Sequence, residues 1–244
     1  MRTFKSPVEV FQRGISWAYR NSLRRLMPIT EPVRYADVDI DIDRKIGDGL
    51  LIPSHRKTIL MDKPDYEQAL ITGLKMYVKP KMTVVIIGGG IGVTAVIAAK
   101  LTGSQGKVIC YEGSQINVGR IRETAKRNGV SHQLEVRYGL VGPAIGVYHN
   151  DNAAPPVDIG NLPECDLLEL DCEGSEKYII SELLVHPKHI IVETHGVYGA
   201  STDEIEKILR HQEYVTLNLG LAEPRAEAEC LKKDIRVIAA VRRS

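Results

Sequence analysis

Three alternate glycines separate an apolar, β-branched run from an apolar helical run in the segment VVIIGGGIGVTA, residues 84–95. Glycines at a strand-to-helix turn let the backbone turn tightly, and they let a ligand approach the free N–H groups at the positive end of the helix. Residues 82–99 carry no charge, but the glycines interrupt them, so we interpret the stretch as strand, turn and helix rather than as a membrane span. The candidate ligand-binding residues of this turn are Gly88, Gly89, Gly90 and Gly92.

A glutamate ends the next predicted strand, KVICYE. This residue, Glu112, lies about 20 residues after Gly92, where a carboxylate accepts both hydroxyls of a ribose. The glycine spacing matches two ligand classes, dinucleotides and nucleoside sulfonium compounds, and both contain an adenosine ribose. Glu112 and Gly113 are therefore candidate cofactor-binding residues for either class. The alternative role of Glu112 is to cap the helix that begins near Ser114.

Strand and helix patterns alternate from Pro80 onward, which is typical of a parallel sheet with helices on both faces. A polar loop instead of a helix joins the last two strands, so we expect an antiparallel terminal strand pair at the sheet edge. The prediction is an α/β fold whose doubly wound, mostly parallel seven-stranded sheet occupies a domain over residues 81–244. Its strands are predicted at 83–87, 107–111, 134–138, 166–170, 189–193, 214–218 and 235–241.

Residues 1–80 are predicted to form an N-terminal elaboration. Apolar residues at helical spacing predict an amphipathic helix over 8–27 with a basic face. Strict alternation predicts a half-buried strand over 35–43, the glycines near 48 predict a hairpin turn, and a helix follows from about 64 to 78. We interpret the basic face as a solvated surface, and the alternative is peripheral contact with an anionic membrane.

Charge and cysteine content narrow the partners and the compartment. Lys and Arg total 32 and Asp and Glu total 31, so the net charge does not favour binding to a nucleic-acid backbone. The four cysteines form no CxxC pair, and we interpret them as reduced thiols in a reducing compartment. No secretory signal is recognisable at the start of the sequence, so the expected location is cytoplasmic.

The segment CDLLELDCEGSE, residues 165–176, resembles the fourth-strand motif of the FkbM-type S-adenosylmethionine-dependent methyltransferases. The segments VVIIGGGIG, IIVETHG and PDYEQAL are similar to the same family, and the likeness covers about residues 60–200. The chain departs from the family pattern at Ile86, where an acid that binds the methionine ammonium is usual, and at Glu169, where a lysine is usual.

The resemblance implies a class I methyltransferase fold, which is Rossmann-like, and S-adenosylmethionine as cofactor with S-adenosylhomocysteine as product. It further implies that Asp171 faces the methionine part and that the adenine lies near Gly139 and Leu140. The implied reaction is O-methylation of a hydroxyl on a small molecule, sugar or glycan.

A hydroxyl acceptor requires a group that removes its proton. The candidate catalytic residues, which follow the predicted strands, are Glu173, Glu193 and His195, and Asp171 is a further candidate base. Histidine titrates nearest to neutral pH. The alternatives are a locally bonded loop histidine and a Glu173 that caps the next helix. We assign no metal, although Asp171, Glu193 and an unidentified amide are the groups that a metal-dependent mechanism would need.

Two other functions remain open at this point. One is an NAD(P)-dependent oxidoreductase, although only about 130 residues follow Glu112, few for a second domain of ordinary size. The other is a non-catalytic module that binds an adenosine ligand, which the missing acid at Ile86 would favour. The sequence is compatible with a homo-oligomer, but it determines neither the oligomeric state nor the methyl acceptor.

Overall fold

The computed structural model describes residues 32–43, 62–145 and 154–243. A two-stranded sheet and a larger central sheet account for most of its strands. The strands are β1 (Pro32–Tyr35), β2 (Val38–Asp43), β3 (Thr83–Ile87), β4 (Lys107–Glu112), β5 (Leu134–Tyr138), β6 (Leu140–Val141), β7 (Pro156–Val157), β8 (Leu167–Leu170), β9 (His189–Glu193), β10 (Tyr214–Leu221) and β11 (Arg236–Arg242). The helices are α1 (Gln68–Tyr77), α2 (Val93–Thr102), α3 (Gln115–Arg127), α4 (Glu176–Ser181), α5 (Thr202–His211) and α6 (Glu227–Lys233).

The central sheet has seven strands in the order β10, β11, β9, β8, β3, β4, β5. The five strands from β9 to β5 are parallel, whereas β11 runs antiparallel to both β9 and β10. The predicted fold class is therefore confirmed, including the antiparallel terminal pair. Within that pair, β11 is the inner strand and β10 lies at the edge.

Helices cover both faces of the sheet, which explains why its inner strands are mostly apolar. On one face, Leu168, Leu170 and Ile190 belong to a buried core that also contains Ile179 of α4 and Ile205 of α5. Helices α1, α2 and α3 pack on the other face, against β9, β4 and β5 respectively. Both layers leave the carboxyl ends of the parallel strands uncovered for a ligand.

The segment before the central sheet differs from the prediction in two places. The predicted strand over 35–43 is shorter in the structure, where β2 covers Val38–Asp43 and Tyr35 ends the separate strand β1, because the chain turns at Ala36, whose φ is 48°. Helix α1 begins at Gln68, four residues later than predicted, since residues 64–67 form turns. The predicted helix over 8–27 and the hairpin turn near residue 48 lie outside the described residues, and the domain boundary at residue 80 stays a prediction.

The prediction of a polar loop between the last two strands was wrong in part. The segment contains a short helical turn at Pro224–Ala226 and the helix α6. Cys230 is the buried residue of α6. The segment therefore lacks the repeating apolar pattern from which a helix is predicted. Acidic residues in the first turn and lysines in the last turn favour this short helix. Helix α6 borders the cavity described below.

The structure also bears on the predictions about membrane spans and cysteines. Among the described helices, none has the length and apolar character needed to cross a membrane. All four cysteines, Cys110, Cys165, Cys172 and Cys230, are free thiols.

Candidate functional site

A cavity of about 450 Å³ opens at the carboxyl ends of β3, β4, β8 and β9. This is the edge at which parallel α/β sheets bind their ligands. The described residues that line the cavity include most of the predicted site. They are Gly88, Gly90, Glu112, Gly113, Gly139, Leu140, Asp171, Glu173, Glu193 and His195.

The glycine turn forms one wall of the cavity. Gly88 has a φ of 93°, and a Cβ atom at this position would lie 1.7 Å from the carbonyl oxygen of Asp171, so only glycine fits. Gly90 also lines the cavity. Gly89 and Gly92 do not line it; both pack against Ile121 of α3 and hold the turn close to that helix.

Glu112 lies at the cavity wall after β4 and contacts the glycine turn. Its carboxylate accepts the backbone N–H of Gly90 at 2.9 Å and that of Ser114 at 2.8 Å. Burial raises the pKa of Glu112, and these hydrogen bonds oppose the shift. The carboxylate therefore caps the helix that begins after Ser114. It also lines the cavity, and its binding to a ribose stays a prediction.

The chain after β5 forms another side of the cavity, where Gly139 and Leu140 line it. The backbone N–H of Gly139 donates to the carbonyl of Glu112 at 3.0 Å, which ties the ends of β4 and β5 together. Leu140 donates its N–H to Pro155 at 3.0 Å, next to the short β6–β7 pair. The candidate residues of this side therefore lie together, as the carboxyl-end rule predicts.

His195 lies among four carboxylates on the opposite side of the cavity. Its Nδ1 atom is 2.9 Å from Oε1 of Glu176. Its Nε2 atom is 3.8 Å from Asp171, 3.6 Å from Glu173 and 3.6 Å from Glu193. The side chain of His195 is 4% exposed, so the surrounding protein rather than solvent determines its environment. All three residues predicted to be catalytic are thus brought together around one ring.

Glu176 was not predicted from the sequence. Its fully buried carboxylate accepts the backbone N–H of Cys172 at 2.9 Å and that of Gly174 at 2.8 Å, besides facing His195. A glutamate in the first turn of a helix ordinarily indicates a favourable dipole contact at the surface. Because α4 is short and directly follows the β8 loop, this position is inside the protein instead.

Burial and mutual repulsion shift the pKa values of the group. Burial raises the pKa of Asp171 to about 6 and that of Glu173 to about 7, and His195 opposes both shifts. Burial also raises the pKa of Glu193 well above its ordinary value. For His195, burial lowers the pKa, but the Glu176 hydrogen bond and the Asp171 charge outweigh it and raise the pKa to about 9. At neutral pH, His195 is therefore the proton-bearing cation of the cluster.

Carboxylates dominate the cavity wall beyond this cluster. Lys233 is the lysine among the described lining residues, and no arginine is among them. Glu67, before α1, and Glu223, after β10, are additional wall residues that sequence reasoning missed. Glu67 lies within PDYEQAL, but nothing in that segment indicates that it faces a ligand. The wall carboxylates are Glu67, Glu112, Asp171, Glu173, Glu193, Glu223 and Glu229.

Metal ligation is conceivable for one group of side chains. Asp171, Glu176 and His195 offer ligand atoms that lie within 4.8 Å of one another. The hydrogen bonds of Glu176 to His195, Cys172 and Gly174 account for this arrangement without a metal ion. That no metal takes part stays a prediction.

The two positions that depart from the family pattern lie beneath the site. Ile86 and Glu169 are neighbours in the register of β3 and β8, and neither is exposed. Neither lines the cavity. Neither carboxylate oxygen of Glu169 has a hydrogen-bond partner among the described residues. Burial raises the pKa of this carboxyl well above its ordinary value. The charges of Glu67 and Asp171 raise it further.

Comparison with known proteins finds likeness at the level of structure. No family model and no curated protein matches the chain. A putative rRNA-methylase from Clostridium thermocellum is 11% identical, with 73% of this chain and 97% of that chain covered and a TM-score of 0.50. The precorrin-6y C5,15-methyltransferase from Geobacter metallireducens GS-15 is 15% identical over 78% of this chain and 94% of that chain, with a TM-score of 0.49. The O-methyltransferase from Bacillus cereus, in complex with SAH, is 18% identical over 72% and 80%, with a TM-score of 0.45.

At these identities the likeness concerns the fold. Together with the strand order, it shows that the described residues form the Rossmann-like fold of class I methyltransferases.

Proposed function

We propose that the protein is an S-adenosylmethionine-dependent methyltransferase. The observation that carries this proposal is that Gly88, Gly90 and Glu112 line one cavity at the carboxyl end of the sheet. The glycine turn leaves room for a ligand next to the backbone, and Glu112 supplies the carboxylate that suits a ribose. The structural neighbours named as methyltransferases share this fold, which is consistent with the proposal.

The charge of the cavity favours S-adenosylmethionine over NAD or NADP. S-adenosylmethionine carries a sulfonium cation and an ammonium group, whereas a dinucleotide carries a pyrophosphate with two negative charges. Seven carboxyl groups line the described wall, whereas its cationic side chains are Lys233 and the protonated His195. Bringing a pyrophosphate among these carboxyl groups would add like-charge repulsion in a partly buried site. The same argument disfavours a nucleic-acid backbone as the acceptor.

The acceptor that we propose is a hydroxyl of a small molecule, sugar or glycan. When bound, S-adenosylmethionine supplies a methyl group on a positively charged sulfur, which an acceptor oxygen displaces in line. Glu173 is the base that we assign, because its pKa of about 7 leaves it largely ionised just above neutral pH. Its backbone is in the left-handed region, with a φ of 54°, a strained conformation that clusters at functional sites.

The other two residues of the cluster have different roles in this proposal. His195 keeps its proton at neutral pH, since its pKa is about 9, and it stabilises the ionised form of Glu173. The raised pKa of Glu193 favours its protonated form, which can donate a hydrogen bond to the acceptor oxygen. Glu176 positions the imidazole and does not face the cavity.

The test is calorimetric titration of the purified protein with S-adenosylhomocysteine, NAD and NADP. We expect binding of S-adenosylhomocysteine alone, and loss of that binding in Glu112→Gln. The matched control is Glu164→Gln, an exposed glutamate ahead of β8, at the opposite end of the sheet, which should bind as the wild type does. Binding of NAD or NADP instead, or binding of none of the three ligands, would refute the proposal.

A further inference from the structure

Two carboxylates face the cavity from elements on opposite sides of the glycine turn. Glu67 immediately precedes α1, and Asp171 immediately follows β8; both line the cavity together with Gly88. Within the described residues, no lysine or arginine forms a salt bridge with either one. The nearby Lys63 places its ammonium 5.0 Å from the ring centre of Tyr35 and 5.5 Å from that of Tyr66. Asp171 lies 3.8 Å from Nε2 of His195, beyond hydrogen-bond distance. Lys63 acts on Glu67 through its charge. Both carboxylates can therefore still accept hydrogen bonds from a cationic ligand.

The position of Glu67 is fixed by the chain on both sides of it. Before it, Lys63 exchanges backbone hydrogen bonds with β1 and its turn, donating to Arg34 at 2.9 Å and accepting from Ala36 at 2.7 Å. After it, α1 lies close to β9, because Gly73 leaves space for Ile191. Glu67 itself has a φ of 47°. These contacts hold its carboxylate at the cavity wall rather than in solvent.

No acid reaches this wall from the strand that leads into the glycine turn. Ile86 occupies that position and is fully buried. The carboxylate beside it, Glu169, is buried within the sheet layer and does not line the cavity. Glu67 and Asp171 are therefore the carboxylates that approach the Gly88 end of the cavity from α1 and from β8.

Electrostatics support a shared cationic partner. Burial raises the pKa of Glu67 to about 8, and the charge of Asp171 is the next largest contribution. Burial raises the pKa of Asp171 to about 6. Two carboxylates in one wall repel each other unless a proton or a cation lies between them. An ammonium group with three N–H donors can bond to both.

We propose that Glu67 and Asp171 form an ammonium subsite that binds the α-amino group of the methionine part of S-adenosylmethionine. This inference rests on the proposed function and adds a binding residue from outside the predicted 81–244 domain. Tyr66, which lines the same cavity and hydrogen-bonds to Glu67, orients the Glu67 carboxylate. The subsite takes the place of the acid that Ile86 replaces.

The experiment compares two ligands that differ only in the amino group. One is S-adenosylhomocysteine, and the other is 5′-S-(3-carboxypropyl)-5′-thioadenosine, which keeps the carboxylate and lacks the amine. Both are titrated calorimetrically into the wild type, Glu67→Gln, Glu67→Gly and the control Glu164→Gln. Glu67→Gln preserves the shape of the side chain, and Glu67→Gly adopts the left-handed backbone without strain, so at least one variant should fold normally.

The wild type and Glu164→Gln should bind S-adenosylhomocysteine at least about 10-fold more tightly than the amine-free ligand, as expected for a charge-assisted contact. In both Glu67 variants this preference should fall to about 3-fold or less, while the affinity for the amine-free ligand stays near that of the wild type. An unchanged preference in a folded Glu67 variant, or an equal loss for both ligands, overturns the subsite alone. Failure of the wild type to bind either ligand overturns the proposed function as well.

Discussion

Oε1 of Glu176 lies 2.9 Å from Nδ1 of His195, and the same carboxylate accepts two backbone N–H groups of the loop after β8. One buried side chain therefore holds the imidazole and the loop that carries Asp171 and Glu173. A hydrogen bond at one nitrogen of an imidazole fixes which nitrogen points into a cavity, and here that nitrogen is Nε2.

Replacing Glu176 by glutamine should lower the pKa of His195 from about 9 toward its ordinary value, because the charged hydrogen-bond acceptor is lost. Unfolding free energy should fall by about 1–3 kcal/mol, the cost of disturbing a buried charge-assisted hydrogen bond. NMR titration of the histidine ring protons and urea denaturation measure the two effects. Glu182→Gln, at an exposed position after α4, is the control that should change neither. A His195 titration identical to that of the wild type would remove Glu176 from the network.

The pH dependence of methyl transfer should follow Glu173. Since burial raises the pKa of Glu173 to about 7, activity should rise as the pH passes through that value and the carboxylate forms. Glu173→Gln should lower kcat by about 100-fold or more and abolish this rising limb, while binding of S-adenosylhomocysteine is retained. The measurement is kcat against pH with a hydroxyl acceptor. A persisting rise near pH 7 in Glu173→Gln would assign the base elsewhere.

Glu169→Gln should stabilise the protein at neutral pH. Burial raises the pKa of Glu169, so the folded state holds a proton that the unfolded chain releases above about pH 4.3. Stability is therefore lost as the pH rises above that value, and the neutral glutamine removes the loss. We expect a gain of about 1–3 kcal/mol at pH 7.5 and little gain near pH 4, measured by urea denaturation. A gain that does not depend on pH would contradict this explanation.

Gly88→Ala should disrupt both stability and ligand binding. A Cβ atom there would lie 1.7 Å from the carbonyl oxygen of Asp171, and the φ of 93° is unfavourable for alanine. Gly103→Ala is a matched control, because Gly103 also has a positive φ, 69°, but no atom lies within 4 Å of its added Cβ. The control should lose about 1 kcal/mol from backbone strain, and Gly88→Ala should lose clearly more. Equal losses in thermal denaturation would show that the loop relaxes around the new methyl group.

The sequence predicted the central sheet well because its strands are short apolar runs bounded by glycines and polar turns. Leu167–Leu170 and His189–Glu193 are examples. Asp171, directly after the first strand, and Glu193, at the end of the second, line the cavity. Glu112 and Asp171 could be placed from the order of the elements alone, since the carboxyl ends of parallel strands share one edge.

The remainder depended on contacts between segments that are distant in the chain. Glu67 reaches the cavity only because α1 packs against β9, more than a hundred residues further along. Glu176 becomes buried because α4 is six residues long and lies tightly against the β8 loop. Periodicity reports which face of an element is apolar, and neither position can be derived from it.

The insertion of β11 between β9 and β10 has a consequence for folding during synthesis. The edge strand β10 has no neighbour in the sheet except β11, so it cannot dock until β11, the last described strand, has emerged from the ribosome. Glu223 and α6, which border the cavity, lie between these two strands. The five parallel strands can assemble first, but this rim of the site closes only with the final hairpin. A nascent chain interrupted before Arg236 would carry the glycine turn and Glu112 and still have an open, incomplete pocket.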